Sequence, residues 1–128
     1  MINRKRMNMA GQFKVPKEVV DKVLQLVEAA KNGGNVRKGV NETTKSVERG
    51  EAQLVVIAED VEPAEIVMHL PPLCEEKRVP YVYVPSKMEL GRSSGIDVPS
   101  AAIAVADAGE GKKALAELVK QIEAAKGG

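Results

Sequence analysis

The sequence predicts a single α/β domain in which helices cover both faces of a β-sheet. Three short runs are almost wholly apolar, at 53–58, 82–84 and 101–106, as is typical of strands that are buried on both faces. Residues 35–38 form a fourth, short extended piece. Segments with the apolar spacing of helices precede, separate and follow these runs. Because strands alternate with helices along the chain, we expect a mostly parallel sheet between two helix layers.

The predicted helices begin and end at recognisable local signals. Pro16 suits the first turn of a helix, and Gly33-Gly34 provides the stop that ends it. Ser86 is expected to cap a short helix through its hydroxyl group. The proline pair Pro71-Pro72 is expected to break the helical stretch that Pro63 begins. The predicted helices therefore cover residues 17–32, 43–49, 63–70, 73–77, 87–90 and 111–125.

The chain divides into two unequal parts. Residues 1–14 show no helical or strand periodicity and are expected to form a basic N-terminal arm. Residues 15–128 contain no linker, repeat or low-complexity segment, and their number is typical of one domain. We therefore predict one folded domain over 15–128.

The composition excludes several classes of protein. No apolar run approaches the ~20 residues of a membrane span, and no apolar segment of a secretory signal follows the basic N-terminus. The single cysteine, Cys74, cannot form an intrachain disulfide. The single histidine, His69, cannot supply a histidine-based metal site, and its distance from Cys74 across the proline pair disfavours a catalytic dyad. We expect a cytoplasmic protein without a metal or another cofactor.

The net charge of +1 conceals a strong asymmetry along the chain. Residues 1–50 carry 11 Lys/Arg and 5 Asp/Glu, or 11 − 5 = +6. Residues 51–128 carry 8 Lys/Arg and 13 Asp/Glu, or 8 − 13 = −5. Such a chain can present a basic face to a polyanion and remain soluble, although a chance imbalance of surface charge gives the same numbers.

The segment 33–49 is the most informative for chemistry. Glycines beside a helix start, such as Gly39, favour anion binding, but neither GxxxxGK[ST] nor GxGxxG occurs here. If the helix starts near Val40, Asn41, Glu42, Lys45 and Arg49 fall on adjacent faces. The residues alone leave two interpretations open, namely a helix start with surface ion pairs or a site for a polar ligand.

The carboxylate of Glu42 indicates which polar ligand such a site would bind. A site that binds only phosphate would avoid a carboxylate, whereas guanine offers N–H donors that Glu42 can accept. Asn41 and Lys45 can donate to guanine O6 and N7. The deep groove of regular RNA is closed to side chains, so the target would be a distorted duplex that carries G·A pairs. The chain has too few aromatic residues, Phe13, Tyr81 and Tyr83, to bind bases by stacking.

Acidic residues elsewhere have simpler explanations. Glu59 and Asp60 follow a predicted strand, a place where α/β proteins often bind ligands, but capping and turn formation before Pro63 is the favoured interpretation. The charged segment 75–78 is most simply an exposed helix end.

Four motifs in register resemble those of one family, the kink-turn-binding archaeal large-subunit ribosomal proteins (written out, ribosomal protein "L-seven-Ae"). The resemblance runs from about Val15 to the end of the chain. The matching segments are GVNETTKSVERG at 39–50, VIAEDVEP at 56–63, HLPPLCEEK at 69–77, and VPY at 79–81 with SKMELG at 86–91. The N-terminal extension over 1–14 has no clear counterpart.

The resemblance implies a three-layer α/β/α sandwich on a four-stranded mixed sheet. It implies binding to kink-turns, which are sharp RNA bends beside tandem sheared G·A pairs. Archaeal members of the family serve the ribosome, the box C/D and H/ACA guide-RNA particles and RNase P. We therefore expect ribosomal, guide or RNase P RNA and the proteins of these particles as partners, with no membrane and no small-molecule substrate.

The resemblance also assigns roles to residues. Asn41, Glu42 and Lys45 match the positions that contact the guanines, and Arg49 and Lys87 match basic positions on the RNA backbone. Ile96 and Val98 match the apolar loop residues that cover a bulged nucleotide. We add Arg37, Lys38 and Gly39, which adjoin the predicted helix, as candidates for phosphate contacts.

Two other functions remain open on the residues alone. The first is a small nucleotide-dependent enzyme with a phosphate at Gly39, although the usual phosphate-binding motifs are missing. The second is a protein–protein adaptor that uses the acidic C-terminal half. The leading prediction is a non-enzymatic RNA-binding protein.

Overall fold

The computed structural model describes residues 15–127 of the protein, so the predicted basic arm lies outside the described residues. Five helices and four strands form its framework. They are α1 (Lys17–Gly33), β1 (Asn35–Lys38), α2 (Val40–Glu48), β2 (Leu54–Ala58), α3 (Leu70–Lys77), β3 (Tyr81–Val84), α4 (Lys87–Ser93), β4 (Ala102–Asp107) and α5 (Lys112–Gly127). Short 3-10 turns at Ala64–Ile66 and Gly109–Gly111 precede α3 and α5.

The four strands form one mixed sheet in the order β1-β4-β2-β3. Strands β2 and β3 are parallel, whereas β4 is antiparallel to both of its neighbours, β1 and β2. The four-stranded mixed sheet is confirmed, but the expectation of a mostly parallel sheet is wrong. The reason lies before β4, where Ser100 N donates to Lys87 O at 2.9 Å. The chain thus returns to the start of α4 and enters β4 at the end of the sheet where β3 stops.

The core forms where the helices cover the sheet. Every residue of β2 and β3 is buried, as expected for strands covered on both faces. Helix α1 packs against α4 and α5, and α2 packs against α3 and the β1–β4 side of the sheet. The helices thus form two groups on one sheet. The largest fully buried side chains are Leu54, Ile57, Leu70, Leu90, Ile103, Leu118 and Ile122.

Several helix boundaries differ from those predicted. The predicted helix over 63–70 is only a 3-10 turn at Ala64–Ile66, and α4 extends to Ser93 instead of ending at residue 90. Helix α2 starts at Val40 instead of Thr43. The pair Pro71-Pro72 does not interrupt a helix, since both prolines lie in the first turn of α3, which starts at Leu70. The missing proline N–H groups cost little there, because the first N–H groups of a helix have no intrahelical acceptor. No helix between residues 15 and 127 is long and apolar enough to cross a bilayer.

Tyr81 in β3 makes the stability of the fold sensitive to alkaline pH. Burial, together with the neighbouring Glu75 carboxylate, raises the pKa of Tyr81 to about 12 from its ordinary value of 10.0. The unfolded chain therefore loses the phenolic proton first as the pH rises, and the contribution of Tyr81 to stability is lost between pH 10 and 12. We expect Tyr81→Phe to remove about 2–3 kcal/mol of that alkaline loss in urea unfolding. Equal alkaline slopes for wild type and variant would contradict this expectation.

Candidate functional site

Most of the candidate residues lie at one end of the sheet, where β1, β2 and β3 stop and β4 begins. We call it the upper end. The strand register fixes this arrangement, because Lys38 pairs with Ile103 and Ala58 pairs with Val84. The segments that follow the first three strands, and the segment that precedes β4, therefore meet there.

Backbone hydrogen bonds join these segments to one another. Gly39 N donates to Ala102 O at 2.9 Å, which holds the start of α2 against the start of β4. Ala58 N donates to Ala101 O at 2.9 Å, and Glu59 N donates to Val84 O at 2.8 Å. The relative positions of the segments thus depend on the main chain of the sheet.

Helix α2 presents a polar face at the upper end. It starts after Gly39, whose φ of 91° is a conformation that favours glycine, and no side chain caps its start. Asn41, Glu42 and Lys45 are exposed, as are Glu48 and Arg49. The opposite face is buried through Thr43, Ser46 and Val47. The predicted grouping of an amide, a carboxylate and a cation on one exposed helix face is therefore present.

Glu42 and Lys45 form an ion pair one turn apart. Lys45 Nζ lies 3.8 Å from Glu42 Oε1, and about half of each side chain is exposed. Such a pair stabilises a helix by only about 0.3–0.5 kcal/mol. Its geometry fits both interpretations of the sequence, because a surface ion pair also holds a donor and an acceptor side by side for a polar ligand.

A shallow groove of about 500 Å³ runs along α2 toward the turn before α3. Thr44 Oγ1 donates to Val40 O at 2.8 Å and also lies 2.8 Å from His69 Nε2. Because the single hydroxyl proton is used toward Val40, His69 Nε2 acts as the donor to Thr44. The lining residues are Val40, Asn41, Thr44, Lys45, Glu48, Ile66 and His69.

Helix α4 brings Lys87 to the upper end. Ser86 caps this helix as predicted, since its Oγ accepts a hydrogen bond from Glu89 N at 3.2 Å. Asp60 Oδ1 accepts a hydrogen bond from Lys87 N at 2.8 Å. Asp60 is therefore a capping residue, but it caps α4 and not the turn before Pro63.

Residues 94–101, which we call the α4–β4 loop, carry the two apolar candidates. Ile96 is half-buried, whereas Val98 is 59% exposed. The loop crosses so close to α4 that a Cβ atom on Gly91 would collide with the carbonyl oxygen of Val98. Ser100 N, bonded to Lys87 O, closes the loop onto the same helix.

Three basic candidates occupy different surroundings. Lys38 is exposed at the end of β1, beside the start of α2. The Arg37 guanidinium lies 3.9 Å from the Glu51 carboxylate, in the segment that leads into β2. Arg49 follows the last turn of α2, about 12 Å along the helix axis from Asn41. Lys38 is thus close to the polar face of α2, whereas Arg37 forms a half-exposed ion pair with Glu51, of a kind that contributes little.

The aromatic side chains of the described residues take part in the core. Tyr81 and Tyr83 are both buried, with ring centroids 6.2 Å apart and planes at 85°. Neither ring offers a stacking surface, in agreement with the inference that a ligand would be bound by polar side chains. Within residues 15–127, no three His, Cys, Asp or Glu side chains are grouped in a way that could hold a metal ion.

Sequence reasoning missed the contact between His69 and Thr44 and the role of Asp60. The first joins residues 25 apart, and the second joins residues 27 apart. No local pattern indicates the contact between His69 and Thr44. A usable signal for Asp60 was its place two residues after a buried strand, where a carboxylate faces the segments that leave neighbouring strands.

A family model and a solved structure match this chain. The family model described as "Ribosomal protein L7Ae/L30e/S12e/Gadd45 family" matches residues 21–120. A solved structure, "Giardia lamblia 15.5kD RNA binding protein", is 36% identical in sequence, with a TM-score of 0.80. The match covers 96% of this chain and 98% of that chain. The family match includes the upper end and its candidate residues, and this chain therefore belongs to the ribosomal protein L7Ae/L30e/S12e/Gadd45 family.

Proposed function

We propose that this chain is an RNA-binding protein, not an enzyme, which recognises and stabilises kink-turn motifs. Family membership and the likeness to an RNA-binding protein support RNA binding and a non-catalytic role. The observation that carries the kink-turn proposal is the exposed face of α2. Asn41, Glu42 and Lys45 lie there together and present a donor set and an acceptor that match the edge of guanine.

The residues around α2 support a model in which α2 contacts the bases and its basic neighbours contact the RNA backbone. Lys38 and Lys87 lie at the upper end on either side of the start of β4 and can contact phosphates. Val98 is exposed and can cover a nucleotide that leaves the stack. Arg37 and Arg49 remain proposed phosphate contacts, and Arg37 would first have to leave Glu51.

The RNAs in the proposal are ribosomal RNA, box C/D and H/ACA guide RNAs and RNase P RNA, and the chain would act as a scaffold for assembly of these particles in the cytoplasm. The resemblance also suggests an archaeal large-subunit ribosomal protein. Co-sedimentation with the large ribosomal subunit, and recovery of the guide and RNase P RNAs with the tagged chain, test this part.

The decisive test of kink-turn recognition is a titration of the wild-type protein at fixed salt. One RNA carries a kink-turn with tandem sheared G·A pairs, and its twin has Watson–Crick pairs in their place. We expect tight binding to the first and loss of binding to the second. Equal binding to both would mean that the chain binds phosphates without regard to the motif.

Lys87 should contribute to affinity but not to discrimination. We expect Lys87→Gln to weaken binding of every RNA to a similar extent, because a lysine contact to phosphate is independent of sequence. The slope of log affinity against log salt should fall by about 1. Lys120→Gln, on the exposed side of α5, is the matched control and should leave the slope unchanged. An unchanged slope in Lys87→Gln would remove Lys87 from the interface.

Exposed apolar side chains beside the groove support a protein partner in addition to RNA. Ile66 is 43% exposed and Met68 is 62% exposed, and both lie next to His69 in the turn before α3. Proteins of the assembled particle can cover such residues while the RNA occupies α2. A protein complex that survives nuclease treatment, and that Met68→Glu disrupts, would support this second role.

A further inference from the structure

We propose that Asp60 is a positioning residue of the RNA interface. Its carboxylate holds α4, and thereby Lys87 and the α4–β4 loop, at a fixed place relative to the guanine-contacting face of α2. The inference rests on the proposed function and extends it to a residue that need not touch the RNA. Its starting point is the 2.8 Å hydrogen bond that Asp60 Oδ1 accepts from Lys87 N.

This hydrogen bond fixes a helix from outside its own segment. The first N–H groups of any helix have no acceptor within the helix. In α4, the local cap Ser86 accepts the bond from Glu89 N, and the N–H of Lys87 is left to Asp60. Asp60 follows β2, which lies at the centre of the sheet beside β3 and β4. The start of α4 is therefore tied to the central strand.

The position of α4 determines the position of the loop that carries Ile96 and Val98. Ser100 N donates to Lys87 O at 2.9 Å, so the loop ends on the same residue that Asp60 holds. The Val98 carbonyl lies against Gly91 with no room for a Cβ atom. A movement of α4 must therefore move this loop and the Lys87 side chain together.

The effect of the Asp60 hydrogen bond on RNA binding can be distinguished from the effect of the Asp60 charge. A carboxylate beside a polyanion weakens binding through charge, so its removal should strengthen binding to any RNA. Loss of the positioning contact should instead weaken binding to the one RNA that uses α2, Lys87 and the loop at the same time. The two effects have opposite signs on a kink-turn.

Three variants distinguish these effects. Asp60→Ala removes both the charge and the acceptor, whereas Asp60→Asn removes the charge and keeps an oxygen that can accept from Lys87 N. Asp107→Ala is the matched control, because Asp107 Oδ1 accepts a hydrogen bond from Gly109 N at 2.9 Å at the opposite end of the sheet. Each protein is titrated with the kink-turn RNA and its Watson–Crick twin at several salt concentrations, and its thermal unfolding is measured.

We expect Asp60→Ala to bind the kink-turn about tenfold more weakly and to bind the twin as well as wild type or better, because only the kink-turn needs α2, Lys87 and the loop in one fixed arrangement. Asp60→Asn should retain the wild-type preference for the kink-turn. Asp107→Ala should lose a similar amount of thermal stability and bind both RNAs as wild type does.

Two results overturn the proposal while wild type still prefers the kink-turn. In the first, Asp60→Ala binds both RNAs as Asp107→Ala does. In the second, Asp60→Ala and Asp60→Asn both bind the kink-turn and the twin more tightly and to a similar extent, which would leave only the effect of charge. Equal binding of wild type to both RNAs would overturn the proposed function and the role of Asp60 with it.

Discussion

The Glu42→Gln variant is expected to bind a kink-turn RNA about 10- to 100-fold more weakly than wild type, which corresponds to about 1–3 kcal/mol. The glutamine amide can accept only through its single oxygen, so one of the two guanine N–H donors loses a good partner. The change also removes a negative charge, which by itself strengthens binding to any polyanion. Affinity for the Watson–Crick twin should therefore rise slightly while affinity for the kink-turn falls.

Because the expected changes in affinity for the kink-turn and for the twin have opposite signs, Glu42→Gln tests whether Glu42 contacts a base. Glu28→Gln, at an exposed position of α1, removes the same charge from a helix that packs with α4 and α5. It should leave the preference for the kink-turn intact. If Glu42→Gln strengthens binding to both RNAs alike, the polar face of α2 contacts phosphate only, and the proposed specificity is wrong.

Gly91→Ala should cause the largest loss of stability among single-methyl changes at the site. The added Cβ would collide with the carbonyl oxygen of Val98 and would approach Ser100 N to 3.3 Å. Both are backbone atoms, so neither can move away without displacing the α4–β4 loop. We expect a loss of about 3 kcal/mol in the free energy of unfolding, measured in urea. Kink-turn affinity should fall as well, because the loop carries Ile96 and Val98.

Gly33→Ala provides the control for this substitution. Gly33 also lies in a helix, and a Cβ placed on it meets nothing within 4 Å. Alanine is favoured over glycine in helices, so the variant should be as stable as wild type or slightly more stable. Wild-type stability in Gly91→Ala would show that the loop can move away from α4 without cost.

The local parts of the fold and of the site could be predicted from the sequence. The spacing of Asn41, Glu42 and Lys45 indicated one exposed helix face because helical periodicity is a property of neighbouring residues. The burial of β2 and β3 followed from their apolar composition. The mixed sheet was expected from the family resemblance, since composition and alternation alone pointed to parallel strands.

The remaining features depend on contacts between distant residues. The direction of β4 is set by the bond between Ser100 and Lys87 and by pairing with strands far away in sequence. The ion pair of Arg37 with Glu51 gave no local signal, because the two residues are distant in sequence. The helix break predicted at Pro71-Pro72 is wrong because a proline pair can either end a helix or begin one, and here both prolines lie in the first turn of α3.

The backbone bonds at the upper end have a consequence for protein engineering. Gly39 and Glu59 donate a main-chain N–H to β4 and β3, and Ala58 donates one to the residue before β4. The frame that holds α2 therefore depends little on which side chains α2 exposes. Positions 41, 42 and 45 can therefore be randomised as a library without rebuilding the scaffold. We expect variants selected from such a library to bind other bent RNAs while the sheet keeps its structure.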